Sequence, residues 1–195
     1  MAFIDTHVHM DHRKFNSNRT EIIQAVKNSD IEILVNPAIE YETNFTMRQM
    51  LEGYDWIYYG VGIHPNRLGD DETVDEEWEK GLLQLATKEK VVAIGETGLD
   101  LYRISKDESG QPDEKGITSL SRQYKWFRKQ VKLAALVNLP LILHVRDAHK
   151  EAIRVLKEYQ DDLMLEIKGV VHCFTGTDYE LSLIHISEPT RPISI

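Results

Sequence analysis

The sequence predicts an α/β fold in which parallel strands and helices alternate, as they do in a (β/α) barrel of the TIM type. Short apolar runs recur along the chain, and the longer segments between them carry apolar residues at helical spacing. At 195 residues, the chain is shorter than the roughly 250 residues of a complete eight-stranded barrel. We therefore expect an incomplete barrel of about six of the eight βα units.

The apolar runs place the elements in order along a single domain, because no segment resembles a linker. The expected strands span residues 3–7, 32–36, 56–63, 91–95, 140–145 and 169–174. The expected helices span residues 20–28, 41–51, 75–87, 121–137 and 149–159. Residues 105–116 are rich in charge, Gly and Pro, which predicts an exposed loop.

The composition is that of an ordinary globular protein, with 42% hydrophobic and 28% charged residues. A formal net charge of -9 argues against a broad basic groove, so a nucleic-acid substrate would have to be held locally. Cys173 is the single cysteine, which excludes an intrachain disulfide. No signal segment or membrane-length apolar run is apparent, and we expect a cytoplasmic protein with no membrane partner.

The first apolar run ends in a His-x-His motif formed by His7 and His9. In a strand, residues two apart point to the same face, so both imidazoles would project together while Thr6 and Val8 face away. Two imidazoles on one edge are suited to sharing a cation. We therefore expect this pair to form one wall of a metal site.

Three later runs also carry a residue suited to a divalent cation, namely Glu96, His144 and His172. The strand ends of a parallel barrel open on one face, so these side chains should converge with the first pair. This donor set suits two ions better than one structural zinc, which closes with four ligands. Glu96 could bridge ions roughly 3.5–4 Å apart that clamp a phosphate and activate water.

Each position also has a simpler interpretation. A lone His-x-His motif is often not a ligand pair, and His144 or His172 alone would more often be a satisfied core histidine. Glu96 could merely cap a helix. Their joint occurrence favours the metal site, because a polar group buried at each strand end without a partner would be costly.

Five ordered motifs resemble the TatD family of metal-dependent hydrolases. They are FIDTHVH at 3–9, GVGIHP at 60–65, AIGETGLD at 93–100, LPLILHVRD at 139–147 and VHCFTG at 171–176. The resemblance runs from residue 3 to about residue 180. It implies a barrel of the amidohydrolase kind and a two-metal deoxyribonuclease or phosphodiesterase activity.

The resemblance also implies roles for individual residues. His7 and His9 would bind the first metal, Glu96 would bridge both ions, and His144 and His172 would bind the second. The ions would be Mg, Mn or Zn, and Glu96 would be the catalytic residue. The family's aspartate at the end of the last strand, which completes the first site, is not found in this sequence.

Two further residues match positions that line the family's substrate pocket, and these are His64 and Arg146. Arg146 could instead pair with Asp147, and His64 could be only a loop residue. Gly98 is expected to permit a backbone turn, and Asp100 and Tyr102 are expected to point towards the mouth of the barrel. Cys173 is expected to pack outward against the helices. His12 and His149 fit no motif and are expected to be solvated.

Residues 181–195 depart from the family pattern. Residues 181–191 are similar to the translation of one frame of a transposase-based sequencing adapter, so we expect residues 1–180 to be the authentic domain. A divergent tail with a short strand near Leu183 is the alternative. His185 is not expected to be a ligand.

The leading functional prediction is a hydrolase of phosphodiester bonds, in particular those of DNA, in the full-length parent, with no obligate protein partner. A small-molecule amidohydrolase acting on C–N or ester bonds is the alternative, and a phosphatase resembling histidinol phosphatase matches only the first motif. The truncated chain itself is expected to be an inactive fragment that aggregates or binds metal weakly, because six strands leave the barrel open.

Overall fold

A computed structural model of the chain describes residues 2–162, 164 and 166–185. Six strands form one sheet whose spatial order follows the chain, and each strand is parallel to its neighbours. The strands are β1 Phe3–Asp5, β2 Ile31–Pro37, β3 Ile57–Val61, β4 Val91–Asp100, β5 Leu141–Arg146 and β6 Gly169–His172. The predicted fold class, a partial barrel with β1 and β6 at its edges, is confirmed.

Helices follow the strands in regular alternation. They are α1 Arg19–Lys27, α2 Tyr41–Leu51, α3 Asp75–Ala86, α4 Glu114–Val137, α5 His149–Lys157 and α6 Asp178–His185. Short 3-10 turns lie at Arg13–Phe15 and Pro65–Arg67, and a π turn lies at Glu158–Asp162. No helix in the described part of the chain combines the length and the apolar content that a membrane crossing needs.

The core is concentrated on the central strands. In its largest cluster, Phe127 and Val131 of α4 pack with Ile94 of β4 and Leu143 of β5. The side chain of Ile94 is fully buried, whereas Ile4 on β1 is 59% exposed. The centre of the sheet is therefore covered by helices, and its two edges carry exposed apolar side chains.

Strand β4 is longer than the sequence predicts, because it continues beyond Gly95 to Asp100 after a shift in register against β5. Gly98 does not form the expected turn. Its φ is +139°, and a Cβ atom there would lie 2.1 Å from the carbonyl oxygen of His144. Glycine is needed here because the neighbouring strand approaches too closely for a side chain.

Other predicted boundaries and environments also need correction. β1 ends at Asp5 instead of residue 7. Helix α4 starts at Glu114, well before residue 121, because the Asp113 side chain caps it by accepting a hydrogen bond from Gly116 N–H. The expected loop therefore ends at Asp113.

Two side-chain environments differ from expectation. Cys173 is exposed, since β6 ends at His172 and the chain turns at the cysteine with φ +47°. His149 is buried at the start of α5, where its ring contacts Phe174, and is not solvated. His12 is half-buried beside the first 3-10 turn, where its Nδ1 accepts a hydrogen bond from Lys14 N–H.

Helix α6 crosses the predicted domain boundary at residue 180. Thr177 N–H donates to the Glu180 carboxylate, and Leu181 N–H donates to the Thr177 carbonyl. Residues 181–185 are therefore helical and do not form the short strand of the alternative interpretation. The rest of the tail, residues 186–195, lies outside the described residues.

Candidate metal centre

A buried carboxylate, Glu96 of β4, lies at the centre of a group of imidazoles. Its Oε2 atom lies 3.6 Å from His7 Nε2 and 3.5 Å from His9 Nε2. Its Oε1 atom lies 3.1 Å from His144 Nδ1 and 3.2 Å from His172 Nε2. The five residues predicted as ligands are thus brought together, with one carboxylate oxygen facing each histidine pair.

The first pair, His7 and His9, lies beyond the end of β1, so strand periodicity does not explain its convergence. The segment is instead fastened to β2, where Val8 N–H donates to a backbone carbonyl and Met10 N–H donates to the Asn36 side chain at 2.5 Å. His9 Nδ1 lies 3.2 Å from the Pro37 carbonyl. An N–H donated there leaves the Nε2 lone pair directed into the site.

The facing nitrogens of this pair provide a test of whether a cation fits. His7 Nε2 and His9 Nε2 are only 3.2 Å apart and both approach the same oxygen of Glu96. Two lone pairs at this distance repel each other unless a proton or a metal ion lies between them. Imidazole nitrogens with a carboxylate oxygen are ligands for several divalent ions, so the residues present fit a metal.

The second half of the site is held by a buried hydrogen-bond network. His144 Nε2 lies 3.2 Å from Asp100 Oδ2, which also accepts a hydrogen bond of 2.6 Å from Asn66 Nδ2. Asp100 is fully buried, and its backbone N–H donates to the Gln123 side chain. Asp100 therefore fixes the orientation of the His144 ring while the other ring nitrogen faces Glu96.

The sequence predicts only part of this network. Asp100 is expected near the mouth, but neither its contact with His144 nor a role for Asn66 is predicted. Asn66 follows the His64-Pro65 motif, and that position is the only signal that could have indicated it.

His172 and His64 complete the cluster in different ways. The rings of His172 and His7 stack with centroids 3.9 Å apart and an interplanar angle of 9°, so the sheet curls until the carboxyl ends of its two edge strands meet.

His64 Nε2 lies 3.9 Å from Glu96 Oε1, and its ring lies 4.2 Å from that of His144. His64, predicted to bind substrate, therefore lies within reach of the metal cluster.

The potential ligands also group differently from the predicted pairs. His7, Glu96 and His172 have ligand atoms within 4.8 Å of one another, and so do His64, Glu96 and His144. Glu96 is common to both groups.

Charge at the site is set by burial and by the partners of each group. Burial raises the pKa of Glu96, yet hydrogen bonds from His144 and His172 hold it far below its ordinary value. Burial lowers the pKa of His144, but hydrogen bonds to Asp100 and Glu96 raise it to about 9. Burial and the nearby His144 lower the pKa of His64 to about 4. Glu96 is thus an anion at neutral pH, as a metal ligand should be.

The cluster opens into a cleft of about 860 Å³ that is rich in cationic side chains. Those lining it are Arg67, Arg103, Lys115, Arg122 and Arg146. Arg67 pairs with Glu40 and Arg122 with Asp75. The other three have no carboxylate partner among the described residues, so the predicted alternative of an Arg146–Asp147 ion pair is not observed there.

The fold and the site together define a partial (β/α) barrel with a candidate metal centre at the carboxyl ends of its strands. Residues 4–184 match the sequence model of the TatD-related DNase family. The chain belongs to this family, as its five motifs predict.

Individual relatives agree with this assignment. The chain is 35% identical over 173 residues to the metal-dependent hydrolase YabD of Bacillus subtilis, covering 89% of this chain and 61% of the relative. It is 27% identical over 177 residues to TatD of Escherichia coli K12, which is named a 3'-5' ssDNA/RNA exonuclease; the match covers 91% of this chain and 61% of that protein.

A crystal structure of the TatD homologue YjjV of E. coli K12 superposes with a TM-score of 0.77 at 30% identity. The match covers 95% of this chain and 65% of that structure. The chain thus spans about three fifths of the length of the curated relatives it matches.

Proposed function

We propose that the whole protein is a two-metal hydrolase of phosphodiester bonds, with DNA as its substrate. The observation that carries the proposal is the position of Glu96, whose Oε2 faces His7 and His9 while its Oε1 faces His144 and His172. A single closed zinc site would not need one carboxylate between two sets of imidazoles. The proposed catalytic residue is accordingly Glu96.

The proposed ligands are His7 and His9 for one ion, His144 and His172 for the other, and Glu96 for both. Two divalent ions, when bound, supply Lewis acidity for a phosphate and a nucleophile at neutral pH. The ion is Mg, Mn or Zn, since this donor set accepts each of them.

The residues around the ligands position the centre and the substrate. Asp100 holds the His144 ring in place, and the Pro37 carbonyl fixes the tautomer of His9. Arg146 is proposed to grip a phosphate oxygen, because its guanidinium fork matches the geometry of that group. His64 is proposed to contact the substrate beside the second ion.

Local charge supports an anionic substrate despite the overall charge. Arg103, Lys115 and Arg146 line the cleft without acidic partners among the described residues, in a protein whose formal net charge is -9. Such a site attracts a phosphate at the cleft while the remaining surface repels a long polyanion. A carboxylate at the bridging position distinguishes this centre from amidohydrolases that use a modified lysine.

The experiment is a cleavage assay on the full-length gene product and on the 195-residue chain, with labelled single- and double-stranded DNA in Mg²⁺ or Mn²⁺. We expect Glu96→Gln to lower cleavage by at least about 100-fold and chelation to abolish it. Glu108→Gln, in the exposed loop before α4, is the matched control and should cleave normally. Equal cleavage by both variants would reject the bridging role, and hydrolysis of amides or esters alone would reject the substrate class.

We further propose that residues 181–195 take no part in this function. The same assay on a full-length product in which these residues are replaced by an unrelated sequence tests this, and a loss of cleavage would overturn the proposal.

A further inference from the structure

An exposed aromatic ring stands at the mouth of the metal cleft. Tyr102 lies two residues beyond the end of β4, lines the cleft, and is 56% exposed. One face of its ring is covered by the guanidinium group of Arg146, whose Cζ atom lies 3.6 Å from the ring centroid. The remaining surface of the ring is open to solvent at the entrance to the site.

We propose that Tyr102 is a stacking platform for an unpaired nucleobase of the substrate, and that it directs the site towards single strands and frayed ends. The inference rests on the proposed nucleic-acid hydrolysis and assigns a specificity-determining residue to it. Every base has a π-face, so stacking on an aromatic side chain tolerates any sequence.

The contact with Arg146 explains why this ring is suited to the task. A guanidinium over one face holds the ring by a cation–π interaction, so little freedom is lost when a base covers the other face. Within the described residues, the Arg146 guanidinium has no hydrogen-bond or ion-pair partner. Its N–H groups therefore remain available for a phosphate next to the stacked base.

Neighbouring cations extend the same surface. Arg103 follows Tyr102 directly, Lys115 lies in the first turn of α4, and both line the cleft. Positive charge that follows the backbone, interleaved with an aromatic platform, is the arrangement by which proteins bind single strands. The net charge of -9 restricts this attraction to the few nucleotides nearest the cleft.

A duplex would not offer this contact, because both faces of an internal base are covered by its neighbours in the stack. Only an unpaired or terminal base has a free face for Tyr102. Stacking on Tyr102 therefore favours single-stranded over double-stranded nucleic acid, whereas Arg103, Lys115 and Arg146 respond only to phosphate charge.

The test measures binding of two labelled oligonucleotides of equal length in EDTA, where cleavage does not interfere. One carries ordinary bases, and the other is abasic at every position. For the ordinary oligonucleotide, we expect Tyr102→Ala to raise Kd about tenfold and Tyr102→Phe to leave it nearly unchanged. For the abasic oligonucleotide, neither substitution should matter.

Tyr179→Ala is the matched control, because Tyr179 is also exposed but lies on α6 and does not line the cleft. It should bind both oligonucleotides like the unchanged protein. Circular dichroism of each variant establishes that folding is retained.

Two results would overturn the inference alone: unchanged binding of the ordinary oligonucleotide by Tyr102→Ala, or an equal loss for both oligonucleotides. In both cases metal-dependent cleavage of DNA in the earlier assay would persist. Absence of both cleavage and nucleic-acid binding would instead reject the proposed function, and the stacking platform with it.

Discussion

The candidate metal centre has a central part, formed by Glu96 and His144, and an edge part, formed by His7 and His172, and the two come from very different parts of the sheet. Glu96 and His144 belong to central strands whose apolar residues are buried beneath helices. His172 ends the edge strand β6, and His7 lies two residues beyond the end of the other edge strand, β1, where Ile4 is largely exposed. A buried network therefore holds the central part of the site, while the edge part depends on how far the sheet curls.

The largest test of this difference compares two isoleucines. Ile94→Ala empties a fully buried position on β4, so we expect the free energy of unfolding to fall by about 2–5 kcal/mol. Ile4→Ala removes a side chain that is already largely exposed on β1 and should change it by less than about 0.5 kcal/mol. Urea denaturation measures both, and similar losses would show that the edge is as well packed as the centre.

A smaller effect, on metal affinity, is expected when the hydrogen bond that orients His144 is weakened without removing a proposed ligand. Asp100→Asn removes the charge that orients His144, so we expect Mn²⁺ or Zn²⁺ affinity to fall about 10–100-fold. Titration calorimetry measures the change. Asp55→Asn is the control, because that aspartate is exposed and far along the chain from the ligands. Unaltered affinity in Asp100→Asn would mean that the strand alone positions the ring.

The smallest predicted effect is the contribution of Asp75, on α3, to the pH dependence of the free energy of unfolding. Burial raises the pKa of Asp75, but hydrogen bonds from Lys125, Arg122 and Trp126 lower it below its ordinary value. A depressed carboxyl pKa stabilises the fold above the unfolded-state pKa, and this stabilisation is lost as the pH falls below about 4.

The measurement for Asp75 is the urea midpoint at pH 7 and at successively lower pH. We expect Asp75→Asn to be less stable than the unchanged chain at pH 7 and to show a shallower loss in acid. Asp55→Asn should follow the unchanged chain throughout. A parallel acid response in all three proteins would contradict the role of the Asp75 cluster.

Much of the fold follows from patterns in the sequence. The apolar runs predicted all six strands in order, and the spacing of apolar residues predicted α2 at residues 41–51. Periodicity did not reveal that β4 extends to Asp100, because its second half depends on pairing with β5 across the glycine at position 98. The sequence does not single out the Asp113 cap of α4, because this residue lies in a charged segment that is typical of an exposed loop.

For the candidate site, the sequence predicts which residues come together but not the contacts that hold them there. The expected convergence of His7 and His9 is observed, but hydrogen bonds to β2 cause it, and strand periodicity does not. The hydrogen bond between Asp100 and Asn66 joins the end of β4 to the 3-10 turn at Pro65–Arg67. No local pattern encodes such a contact, because it depends on tertiary packing. The assignment of individual ligands to each ion remains a proposal.

The stacked rings of His7 and His172 have a consequence for how the chain folds during its synthesis. The two residues are far apart in the sequence, so their contact cannot form until the segment that carries His172 has left the ribosome. The β1–β2 pairing, in contrast, needs only the segment from β1 through α1 to β2, and closing this smaller separation costs less entropy. During synthesis, therefore, β1 and β2 can pair before the contact between His7 and His172 forms, and the two edges of the cation pocket meet only after β6 has been made.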